Sequence, residues 1–247
     1  MKHTPLLLLF AALFIVSCGH KNSITIEGTL ENGAGKTIYI EEMSPEAHIF
    51  LDSITLDSKG RFKFTYDMPY KTFYNVHCSE ANYIVLLPDM GEKIHITGDY
   101  NDLQSTYRLS GNGESQLLWQ LQDYSNKENL ILRDLAQTDA KNVELLQNGE
   151  LTQAEYDHER AITDSIYLDA FADIQQYVAH FIEDNLGSLT TLIALYKPFN
   201  NRPLVNPADS FEFYEAVLEA LQEELPDNPH TLNFKNQVER TRFQYAR

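Results

Sequence analysis

The sequence predicts an α+β protein, in which an N-terminal antiparallel β-sandwich or barrel of about seven or eight strands leads into an all-helical region. Three observations carry this expectation. From Ser23 to about Ser110 apolar residues alternate with polar ones, which is the period of half-buried strands. After Gly113 the apolar spacing becomes that of an amphipathic helix. Turn-forming stretches such as ENGAG, DSKG and PDMGE cut the first part into short pieces, whereas long stripes run through the second.

The elements follow in order. SITIEGTL places Ile24, Ile26 and Leu30 on one face, KTIYIEE places Ile38 and Ile40, and GRFKFTY places Phe62, Phe64 and Tyr66. HIFLDSITL, TFYNVHC, NYIVLL and EKIHITG complete the strands. A first helical stripe runs through Leu117, Leu118, Leu121, Tyr124, Ile131 and Leu135, with Gly149 as its stop. Thr152-Gln-Ala-Glu155 fits a capping box opening a second helix, whose apolar face comprises Ile162, Ile166, Ala170, Phe171, Ile174, Val178, Phe181 and Ile182. Asn185-Leu-Gly187 ends it, and Ser188 caps a short helix that stops before Pro198. Asn206-Pro207 and Asn228-Pro229 each set a capping residue before a proline at a first helical position. Two further stripes follow, Phe211, Tyr214, Val217, Leu218, Leu221 and Phe234, Val238, Tyr245.

The extreme N-terminus has a different character. Lys2 and His3 precede an apolar run from Leu6 to Val16, well short of the ~20 residues that span a bilayer. This is the layout of a secretory signal peptide. Ile15-Val16-Ser17-Cys18 resembles the lipobox of bacterial lipoproteins, and the resemblance implies cleavage before Cys18 with acylation of its sulfur and new amino group. The expected division is therefore 1–17 signal peptide, 18–22 lipidated tether, 23–112 β domain and 113–247 helical domain. The lipid on Cys18 would hold the chain on a membrane. Asn22, Ser23 and their neighbours lack the acidic run that resembles a surface-export signal, so the expected location is periplasm-facing in the cell envelope.

With 36 acidic against 19 basic residues, the 247-residue chain carries a formal charge of −17. Such a surface repels nucleic acid and anionic headgroups, leaving the lipid as the membrane contact. Once Cys18 is acylated only Cys78 remains, so no internal disulfide forms and the fold depends on its core.

The sequence offers no catalytic residue, metal site or cofactor motif. The eight histidines include no HExxH and no paired Cys and His spacing. His77 and Cys78 are adjacent in a strand and so point to opposite faces, with Cys78 on the face of Tyr74 and Val76 as a buried thiol. His95 lies between Ile94 and Ile96 and points outward. Gly111-Asn-Gly113 lacks the third glycine and the βαβ surround of a dinucleotide turn, and suits a turn and helix cap. Asp99, Asn101 and Asp102 fit no EF-hand spacing and suit a solvated turn. Asp169 and Asp173 suit the wet face of the long helix. Asp52-Ser53-Ile54 and Asp164-Ser165-Ile166 resemble the O-glycosylation sequon of exported Bacteroidota proteins, which marks Ser53 and Ser165 as possible glycosylation positions.

LDSITLDSKGRFKF, KIHITGDY and LSGNGESQLL resemble the N-terminal domain of unknown function of Bacteroidota thioredoxin-like (TlpA/ResA-like) thiol:disulfide interchange lipoproteins. FIEDNLGSLTTLIALY and LVNPADSFEFYEAVLEALQEELPDNPH resemble the helical region of the same proteins. In that family a thioredoxin-like domain with a Cys-x-x-Cys site follows, but no Cys-x-x-Cys occurs before Arg247, so none of the family's catalytic residues maps onto this sequence. The resemblance implies a non-enzymatic accessory or binding lipoprotein with a protein partner in a periplasmic thiol-redox system. Two alternatives are the N-terminal fragment of a thiol:disulfide oxidoreductase and a lipoprotein that binds a small solute between its two regions.

Overall fold

The computed structural model describes residues 22–111 and 113–245; Cys18 and the leader lie outside them. The architecture is α+β, with a β-rich N-terminal part followed by helices. Eight strands form two four-stranded sheets. One sheet has the order β4-β1-β7-β8, from β1 (Ser23–Glu31), β4 (Arg61–Asp67), β7 (Lys93–Asp99) and β8 (Arg108–Ser110). The other has the order β3-β2-β5-β6, from β2 (Thr37–Met43), β3 (His48–Thr55), β5 (Phe73–Ser79) and β6 (Asn82–Leu86).

The alternation of apolar residues sets the sandwich core. Ile24, Ile26, Phe62, Phe64, Ile94 and Ile96 from the first sheet meet Ile38, Ile40, Tyr74, Val76, Ile84 and Leu86 from the second, all buried. One pairing differs from the antiparallel expectation, because β1 runs parallel to β7, with Ile26 opposite Ile94 and Gly28 opposite Ile96. The intervening strands carry the chain across to the second sheet and back, so β7 returns in the direction of β1. A Cβ at Gly28 would lie 2.2 Å from the Ile96 carbonyl oxygen, so this close approach admits only glycine.

Gly113 is the N-cap of helix α2 (Glu114–Gln147), which pairs with α3 (Gln153–Asp184) as a helical hairpin. The stop lies where expected, with Gly149 at φ +74°. The capping box is complete, since Thr152 Oγ1 accepts from the Glu155 amide and the Glu155 carboxylate accepts from the Thr152 amide. Each helix of ~50 Å length is buried over only part of its extent. The buried positions are Ser115, Leu118, Leu121 and Ser125 on α2, and Ala170, Phe171, Ile174, Val178, Phe181 and Ile182 on α3. Ile162 and Ile166, expected on the buried face, are each 43% exposed, because among the described residues no third element packs on the outer hairpin.

A single-turn helix, α1 (Leu103–Thr106), precedes β8, and α4 (Thr190–Leu195) follows the hairpin. The C-terminal helices are α5 (Phe211–Glu224) and α6 (Pro229–Tyr245). The region is not purely helical, because β9 (Pro198–Phe199) and β10 (Arg202–Pro203) form a small hairpin. Asn200 and Asn201 turn it at φ +48° and +62°, the positive values that two-residue hairpins require. Pro207 also departs from expectation. The Asn206 side chain accepts from the Ala208 amide and closes a turn, so the helix begins only at Phe211. At Asn228-Pro229 the expected start holds, with the Asn228 side chain accepting from the His230 amide.

Candidate functional site

The outer face of the second sheet is where the two halves meet. Phe73 and Leu87 join Leu118, Leu121, Phe181 and Phe234 in the core of the helical region. Period-two alternation alone assigns Phe73 and Val85 to a solvated face. The run NYIVLL carries the missed signal, since apolar residues at successive positions mark a strand covered on both sides. Polar contacts pin the junction: the Leu87 amide donates to Ser115 Oγ at 2.8 Å, and Asn228 Nδ2 donates to the Lys71 carbonyl at 2.7 Å. Lys71 also forms ion pairs with Asp89 and Glu114. Burial works against its charge, but those two carboxylates prevail and hold its pKa above the ordinary value.

Between the halves lies a cavity of about 550 Å³, within the size range of small-molecule sites. Met43, Phe73, Tyr83 and Val85 form its sheet-side wall, with Tyr107 beside them. Leu118 and Leu121 of α2 and Leu192 and Ile193 of α4 form the opposite wall. Tyr196, Lys197, His230, Asn233 and Gln237 bring in polar groups. His230 Nε2 lies 2.8 Å from Thr72 Oγ1, and its ring packs edge-on against Phe73. Burial pushes the His230 pKa down to about 4, so this ring is neutral at physiological pH and serves as a hydrogen-bonding wall. Burial likewise lowers Lys197. Among the described residues no acid lines the cavity.

The residues singled out in the sequence lie elsewhere and are not brought together. His77 stacks on Tyr39 and faces Glu41, whereas Cys78 packs against the sandwich core on the opposite side and is half-buried rather than fully buried as expected, since it sits at the rim of that core. Burial pushes the Cys78 thiol up to about 11. His95 is half-buried beside Glu27. The Asp99 carboxylate accepts from the Asn101 amide and from Asn32 Nδ2, and that of Asp102 from the Ser105 amide, so this acidic stretch caps turns. A Cβ at Gly113 would meet the Glu92 carboxylate at 2.7 Å, an environment that disfavours a phosphate. Asp169 and Asp173 are exposed on α3. Ser53 on β3, at a sheet edge, and Ser165 on α3 are both exposed.

Among the described residues no group of three or more His, Cys, Asp or Glu side chains is placed to hold a metal, and no helix is long and apolar enough to cross a membrane. No family model matches the chain, and no curated protein matches it.

Proposed function

We propose that this protein is a non-enzymatic, lipid-anchored, periplasm-facing module of the cell envelope that binds a small, largely apolar solute between its β domain and its helices. The observation that carries the reading is the cavity of about 550 Å³ with aliphatic and aromatic walls contributed by both halves. Such walls bind apolar surface by removing it from water, with a few fixed polar groups orienting the ligand. The thiol reading is weaker, because Cys78 is held protonated against the core, and exchange requires an accessible thiolate. The resemblance to thioredoxin-like lipoproteins supports a place beside a periplasmic thiol-redox system, and the lipobox-like Ile15-Val16-Ser17-Cys18 supports the anchor.

Native mass spectrometry of the protein released from its own membranes tests the reading. The expected spectrum shows the acyl mass on Cys18 and a further, non-covalent small-molecule mass that disappears in Leu121→Trp, a variant that fills the cavity. A bare chain without acyl mass would contradict the anchor. An acylated protein that carries no small molecule, alone or after incubation with its own lipid extract, would contradict the solute-binding role. The same spectrum reads any glycan on Ser53 or Ser165.

A further inference from the structure

We propose that the solute is an amphiphile with a single anionic head, received by the Lys197 ammonium while its apolar body lies between Val85 and Ile193; this rests on the cavity being a binding site. Acids make up 36 of the 247 residues, so an acid-free lining among the described residues is a local inversion of the chain's charge. Lys197 is half-buried at the end of α4. Among the described residues its ammonium makes no ion pair and donates no hydrogen bond.

Several other polar groups of that wall are already engaged. Tyr196 donates to Gln237 Oε1 at 2.8 Å, Gln237 Nε2 donates to Asn233 Oδ1, and Gln122 Nε2 donates to Asn126 Oδ1 at 2.7 Å. His230 is engaged with Thr72. Lys197 is thus a cation whose burial is opposed by desolvation with no acid in compensation, and an incoming anion restores that balance. The ammonium is a point charge on a flexible stem, so it selects for negative charge while the walls select for an apolar body. A charge-assisted bond in a dehydrated site is also stronger than its counterpart in water.

Isothermal titration calorimetry on the full chain in nanodiscs of zwitterionic phospholipid, with empty nanodiscs subtracted, tests this using octanoate and 1-octanol. These probes share chain length and differ in the head. Octanoate is expected to bind about tenfold more tightly than octanol. Lys197→Gln is expected to bring octanoate to the octanol level and leave octanol unchanged. Equal binding of the two probes by the unaltered protein, or a preference for octanoate that survives in Lys197→Gln, overturns the anionic-head assignment and leaves the cavity reading in place. Binding of neither probe overturns both.

Discussion

At Cys78 the side chain faces the sandwich core, and burial pushes its pKa up to about 11. The thiolate that alkylating reagents and disulfides require is therefore scarce at neutral pH. Iodoacetamide labelling of the folded protein is expected to be slow and to accelerate on denaturation. Rapid labelling of the native state would place the thiol in solvent. His230 gives a second residue-scale expectation. Its folded pKa of about 4 lies below the ordinary value of 6.5, so the unfolded chain binds more protons between those values. Stability contributed by the neutral, buried ring is complete above pH 6.5 and is lost as pH falls toward 4, by an amount on the order of 3 kcal/mol. Urea unfolding at stepped pH reads this slope, and His230→Gln should flatten it in that window.

The helical hairpin is the element whose sequence and structure differ most in what they reveal. Its capping box and its glycine stop are local, and Thr152, Glu155 and Gly149 show them directly. Burial is not local: Ile162 and Ile166 have the right period, but half-exposure follows because no neighbour among the described residues covers the outer hairpin. The same limit explains the parallel β1/β7 pair, since alternation specifies a face and leaves the neighbour open. Asn200-Asn201 carried a readable turn signal, whereas Pro207 suited both a turn and a helix start. Because the tip packs little against other elements, Thr152→Ala should cost about 1 kcal/mol locally. Amides over residues 153–160 are expected to exchange several-fold faster, with an unchanged global unfolding midpoint. A matching fall in the midpoint would show that the hairpin unfolds together with the rest.

For the molecule as a whole, the β domain and the helices form a cavity that neither contains alone. Val85 on β6 and Ile193 on α4 face one cavity although they are far apart in sequence, and no spacing rule connects them. That is why His77, His95 and the acids that draw attention in the sequence lie away from it, while the cavity is lined by ordinary apolar residues around Lys197 and His230. The most direct test of the two-walled site is amide hydrogen–deuterium exchange of the full chain with and without saturating octanoate. Protection is expected to rise in both Asn82–Leu86 and Thr190–Leu195, with exchange at the outer hairpin, residues 126–168, unchanged. Protection confined to one wall, or concentrated on the outer hairpin, would contradict a binding site between the two halves.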